Sequence, residues 1–282
     1  MKYFPIIRGK LYDLAAVTQL VADHQLPKTV IPVIEPVKDI PGVTKVTSAL
    51  VQAAHPGYVI QNPQVGTYQL LAAPRHVVVL SDVVQPARIF DARPAALVIA
   101  TTAAQAKVLP RRQLALVPDE ARVRRLALAH AIYLNDHFTV YPHTDDYGIL
   151  QDEFYQYAPT SLPGIGFADY PLATSDYFEH GYPQRAVAIH LVYPAGDGTL
   201  RLHHFVSVNN DDFANPQAKF FEVLDQLTAW LPFHPDAQTT GTSAFMTAAT
   251  RHHFPGLGIV RKYQLMHHLE LIGRWLQPAQ RH

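Results

Sequence analysis

Arg8, Lys10, Glu35, Asn62, Gln64, Asp169, Tyr170, His190 and His204 are the residues of this chain whose types and settings suit chemistry. Glu35 closes TVIPVIEPVK, where an apolar β-branched run gives way abruptly to a glutamate, a proline and Lys38. A carboxylate such as Glu35 or Asp169 suits general acid–base work, and its proton affinity shifts when water is partly excluded. Arg8 and Lys10, in YFPIIRGK, suit an anionic group of a substrate. Asn62, Gln64 and Tyr170 offer neutral donors and acceptors that orient polar groups. His190 and His204 suit proton shuttling or, less readily, metal ligation. Asp82, Asp119 and Asp136 fit a plainer account, since aspartate caps helices. Arg8 and Glu35 are not preferred caps.

Those residues follow short apolar runs that read as strands: Tyr3–Ile7, Val30–Ile34, Tyr58–Gln61, His76–Leu80, Ala96–Ala100, Leu114–Val117 and Ala131–Leu134, with Gly166–Tyr170 as a candidate eighth. Most are apolar on consecutive residues, as expected of parallel strands covered on both faces. Helical patterns lie between them. Over 10–23, Leu11, Leu14, Val17 and Leu20 share one face, 43–54 repeats this less clearly, and 119–129 is short. Strand and helix in alternation give an α/β fold. An open doubly wound sheet usually carries a glycine-rich turn after its first strand, whereas here that turn is Arg8-Gly9-Lys10. The reading is therefore a (β/α)8 barrel, TIM-like, with a C-terminal hairpin and helical additions. In such a barrel the residues just past each strand gather on one rim: Arg8 and Lys10; Glu35 and Lys38; Asn62 and Gln64; Ser81 and Asp82; Thr101 and Thr102; Asp119 and Glu120; Asn135 and Asp136; Asp169 and Tyr170.

The chain reads as one domain over 1–282. Residues 135–163, polar and aromatic, read as a long insertion over one end, with a helix near 152–157. Residues 186–193 and 200–207 alternate and flank Gly196-Asp197-Gly198, a hairpin signal that places His190 opposite His204. Helices are expected over 215–231, 242–250 and 262–276, completing a C-terminal part over 186–282.

Composition limits the chemistry. There are 23 Lys plus Arg and 23 Asp plus Glu, so no overall field favours nucleic acid or an anionic membrane. The absence of cysteine excludes disulfides, thiolate metal sites and a cysteine nucleophile. No stretch reaches the about 18 apolar residues of a membrane span, and the N-terminal residues do not form a signal peptide, so a cytoplasmic protein is expected. Among 16 histidines, His203-His204, His252-His253 and His267-His268 are adjacent pairs. Adjacent residues diverge on a strand or a helix and share an ion poorly. No His-Glu-x-x-His occurs, so no metal is assigned, and the only arrangement left is His190 and His204 with a carboxylate. Ser207 lies near histidines without a nucleophile elbow, and no phosphate-binding loop appears. Arg111, Arg112, Arg122, Arg124 and Arg125 read as a solvated face. No cofactor is assigned.

The stretches YFPIIRGK, IPVIEPVK, NPQVG, GFADY, AIHLVY, HHFVS and HFPGLGIVRKYQLMHHLE together resemble the phage-derived Beta protein family, in its uncharacterised bacterial branch. The matching positions are Arg8, Gly9, Lys10, Glu35, Pro36, Asn62, Gln64, Asp169, Tyr170, His190, His204 and Ser207. Val208-Asn209 stands where relatives tend to carry an acid, and Asp13 where a glutamate is usual. The resemblance implies a bacterial protein linked to phage or mobile-element loci, with a role in immunity or toxin control. It implies no reaction.

Two functional expectations follow. One is a barrel-mouth hydrolase or transferase acting on an anionic, phosphate-bearing or nucleotide-like small molecule. The other is a non-catalytic protein that binds or restrains the product of a neighbouring gene through an aromatic surface from Tyr141 to Tyr157.

Overall fold

The computed structural model describes residues 1–91, 93–179 and 184–277. Its strands are β1 (Lys2–Tyr3), β2 (Ile6–Arg8), β3 (Val33–Glu35), β4 (Gly57–Ile60), β5 (Val84–Ile89), β6 (Leu97–Ile99), β7 (Ala115–Pro118), β8 (Ala131–Leu134), β9 (Asp152–Gln156), β10 (Gly166–Ala168), β11 (Ala188–Pro194) and β12 (Leu200–Val206). Its α-helices are α1 (Leu11–Ala22), α2 (Pro41–Gln52), α3 (Ala103–Lys107), α4 (Ala121–Arg124), α5 (Pro216–Trp230), α6 (Thr240–Thr250) and α7 (Leu257–Trp275). Nine strands form one parallel, curled, half-barrel sheet flanked by helices, in the order β1-β10-β8-β7-β6-β5-β4-β3-β2. A second, antiparallel sheet has the order β11-β12-β9.

Alternation along the strands sorts side chains onto two faces. Phe4, Ile6, Val33, Ile60, Ala87 and Ile99 belong to the inner cluster, which Leu116, Ile132 and Ala168 complete. Tyr3, Ile7, Ile34 and Val59 belong to the outer cluster, against α1, α2 and α7. Each fully buried Leu, Ile or Phe contributes about 1.5–3 kcal/mol of apolar burial. The segment from Lys2 to Arg8 is hydrogen-bonded along both flanks. Phe4 N–H donates to Phe167 O and Ile6 N–H to Asp169 O, while Ile31 N–H and Val33 N–H donate to Tyr3 O and Pro5 O.

Two elements differ in kind from the sequence reading, while α7 begins at Leu257, ahead of the expected 262, and the helix expected over 119–129 is confined to Ala121–Arg124. Residues 76–80 form no strand. The fourth strand is β5, and Ser81 and Asp82 precede it, so they stand at the opposite end from the rim. Pro86 lies within β5, and a proline argues against a strand because it gives the ladder no donor. The Ser81 hydroxyl takes the Val83 and Val84 N–H groups, which starts β5 after the apolar run instead of within it. Residues 152–156 are strand β9, not a helix. Their donors and acceptors pair with β12, a long-range partner that local pattern does not reveal.

The hairpin β11–β12 forms in the expected register, with His190 opposite His204 and the turn closed by Ala195 N–H to Thr199 O at 2.8 Å. Ile189, Leu191 and Phe205 pack against Phe220, Val223 and Leu227 of α5. Helix α7 packs against α1, α6 and β11, tying the second sheet to the outside of the first.

Candidate functional site

Parallel pairing of β2 with β3 sets Arg8 directly beside Glu35. Both continue the inner face, past Ile6 and Val33, where the apolar layer ends. Arg8 is 9% exposed and Glu35 3%, and Arg8 Nε lies 3.6 Å from Glu35 Oε2. This is an ion pair without a hydrogen bond, and Arg8 Nε has no hydrogen-bond partner. Burial pushes the Glu35 carboxyl above the usual range, while Arg8 and the Gln64 N–H (3.3 Å from Oε1) oppose it.

The remaining Arg8 donors are held by a loop that follows β10. They donate to Thr174 O at 3.2 Å, Asp176 O at 2.5 Å and Ser175 O. The guanidinium also lies 4.5 Å from the centre of the Tyr170 ring. Burial, with Glu35 nearby, moves the Tyr170 hydroxyl up to about 12. The Asp136 carboxylate accepts from Ser175 N–H and Oγ–H at 2.9 and 2.7 Å, which pins the same loop. Lys10 donates to Phe178 O at 2.6 Å, and Lys38 pairs with Glu179 at 2.6 Å. The mouth therefore assembles Arg8, Glu35, Tyr170 and the Gln64 backbone under residues 171–179.

Asn62 is present at this rim in a structural capacity. Its side chain accepts from Ile89 N–H at 2.9 Å and donates to Ile89 O at 2.8 Å, extending the β4–β5 ladder past its last backbone pair. The Gln64 amide donates to Asn62 O at 2.7 Å.

Asp169 lies elsewhere. One residue from Tyr170 on an extended strand, it points to the outer face and is fully buried. Tyr3 and Tyr155 donate to its two oxygens at 2.5 Å each, and His268 Nε2 lies 3.1 and 3.2 Å from their hydroxyls. Burial raises the Asp169 carboxyl to about 7, against the opposing pull of the two tyrosines. Burial likewise holds His268 well below the ordinary histidine range. This network joins β10, β1, β9 and α7.

His190 and His204 also lie away from the mouth. Their Nδ1 atoms are 2.7 Å apart, so one donates to the other. His204 Nε2 is 3.7 Å from Glu153, and the Tyr147 ring covers both imidazoles. Burial lowers both histidines below their ordinary value, so the pair is neutral near pH 7. Among the described residues no group of three or more His, Cys, Asp or Glu side chains is arranged to hold a metal ion. His203 faces the other way and bonds Asp152 at 3.0 Å, while His267 bonds Val192 O at 2.8 Å. Ser207 takes Val187 N–H and bonds Asn210, a role at the hairpin end. Arg122 and Arg124 pair with Glu120 and Asp119 on the surface.

Sequence reasoning missed three participants. Tyr177 and the carbonyls of residues 174–176 reach Arg8 from a stretch with no strand or helix period. Arg261 on α7 reaches back to Asp13 at 3.1 Å and to the Pro171 and Leu172 carbonyls at 2.9 Å each. The Arg88–Asp91 pair, at the C-terminal end of β5, was hidden by the misplaced strand. Arg261 alone left a signal, as an arginine inside an otherwise apolar helix start.

Comparison with family models, with curated proteins and with solved structures gives no match for this chain.

Proposed function

We propose that the curled sheet is an eight-stranded barrel, with residues 2–8 counted as a single strand bonded to both neighbours, and that its mouth is the active site of a hydrolase or transferase acting on an anionic small molecule. The observation that carries this reading is the buried Arg8–Glu35 pair at the C-terminal end of adjacent parallel strands. A structural ion pair has little reason to leave Arg8 Nε without a hydrogen bond and to surround the other donors with three backbone carbonyls. Three carbonyl oxygens on one guanidinium occupy positions that oxygens of a phosphate or carboxylate would take.

In this reading substrate enters as residues 174–176 withdraw, and its anionic group binds Arg8. Glu35, whose carboxyl is raised by burial, gives or takes the proton at the reacting oxygen. Asp169, His190 and His204 have no part in the step. The chain acts in the cytoplasm, and the Beta-family resemblance extends the proposal to a phage-defence or mobile-element locus. The test is a mass-spectrometric screen of phosphate- and carboxylate-bearing metabolites incubated with the wild type and with Glu35→Gln. A compound consumed by the wild type and left by a folded Glu35→Gln protein supports the reading; equal consumption by both overturns it.

Tyr147 and Tyr155 of the expected aromatic surface are buried, so a second reading rests instead on exposed apolar side chains along the edge strand β9. Ile149, Leu150, Phe154 and Tyr157 are all exposed there, and β9 pairs on only one side within its sheet. They suit a partner protein from a neighbouring gene. Co-purification with that product, lost on Phe154→Ser and kept on Glu35→Gln, would favour this reading over the enzyme.

A further inference from the structure

Beside the mouth, a chamber of about 710 Å³ is bounded by Arg8 and Lys10, by Tyr170 and the 171–178 loop, and by the start of α7. Its volume is within the range of small-molecule sites, about 300–1,000 Å³. Four of its lining side chains are large, apolar and more than half exposed: Leu11, Val140, Phe178 and Leu257. Exposed aliphatic and aromatic groups from four separate segments facing one space indicate an apolar occupant. The charged side chains of the wall are Arg8, Lys10 and Arg261 with Asp13 and Asp176. Asp13 is engaged by Arg261, whose other donors hold Pro171 and Leu172. Lys10 carries three donors, one of which goes to Phe178 O.

We propose that this chamber binds an organic anion with an apolar body, its charged head on Lys10, and on Arg8 as residues 174–176 withdraw, and its body against Leu11, Phe178 and Leu257. This names the substrate class of the mouth and rests on that reading. Burial, with Arg261 and Arg8 close by, lowers the Lys10 ammonium despite Asp13, and a bound anion relieves that cost.

Calorimetry with decanoate, decyl phosphate and 1-decanol on the full-length protein tests the assignment. Decanoate or decyl phosphate should bind with Kd of about 0.1 mM or tighter, and the better of the two identifies the head group. Lys10→Met should weaken the anions about tenfold and change 1-decanol little. Leu257→Trp, at a half-exposed position that spares the core, should weaken all three. Thermal melting checks that both variants are folded. No anion binding by the wild type, or unchanged binding in either folded variant, overturns the proposal. Decanoate binding is read without turnover, so it stands or falls separately from the proton-transfer role of Glu35.

Discussion

Replacing Asp169 by Asn should change how stability depends on pH more than it changes the fold. Asp169 is fully buried between two tyrosine hydroxyls, and its carboxyl is raised from 3.8 to about 7. A raised carboxyl means that the folded state holds the proton more tightly than the unfolded chain does. That stability is fully present below the unfolded value and is lost as pH rises through the folded one. A shift of about 3 units at about 1.4 kcal/mol each sets a ceiling of about 4 kcal/mol lost between about pH 4 and about pH 8. Asn has the same shape. Its oxygen can accept from one tyrosine while its amide donates to the other, which then turns its hydrogen to His268 Nε2. Asn does not titrate, so the variant lacks this slope. Urea unfolding of both proteins across that range, followed by circular dichroism, gives a difference curve from which other titrating groups cancel. The Asn protein should be the less stable near pH 4, by about 1 kcal/mol, and the more stable near pH 8. A difference curve that stays level within about 1 kcal/mol across the range would refute the reasoning.

The other expectations concern acid stability and the rim loop that follows β4. His137 and His267 are each held near 4 by burial, so the fold favours their neutral forms; that stability is present above 6.5 and is lost as pH falls towards 4. Stability should therefore fall as pH drops from about 6.5 to about 4.5, most plainly in the Asp169→Asn protein, where the opposing Asp169 contribution is gone, and a urea midpoint of that protein that stays level over this range would count against it. Gly66→Ala should cost about 2–4 kcal/mol by urea unfolding, because Gly66 has φ +77° and an added Cβ would sit 2.2 Å from Val37 O. A loss below about 0.5 kcal/mol would show that this loop shifts freely. Asn62→Ala should cost about 2 kcal/mol by removing two hydrogen bonds to Ile89, and unaltered stability would return Asn62 to a purely substrate-facing role.

Much of the parallel sheet was legible because apolar runs that stop abruptly, as in PVIEP at residues 32–36, are local. Val33–Ile34 before Glu35, and Ile6–Ile7 before Arg8, show where buried strands stop. The hairpin turn at Gly196–Gly198 was legible for the same reason, since Gly198 adopts φ +82°. Strand β5 was not, because Pro86 lies inside it and a more apolar run precedes it. Strand β9 was not, because its partner β12 lies more than forty residues away.

The amino-acid order by itself determined that Arg8 and Glu35 end strands, that His190 and His204 face each other, and that alternating strands and helices build an α/β protein. Only the tertiary structure decided which strand ends share a space. Asp169 and Tyr170 are neighbours in the chain, yet one enters a buried tyrosine–histidine network and the other the mouth. Successive side chains on a strand point to opposite faces, and which face becomes the concave one is fixed by the curl of the whole sheet, not by any single strand.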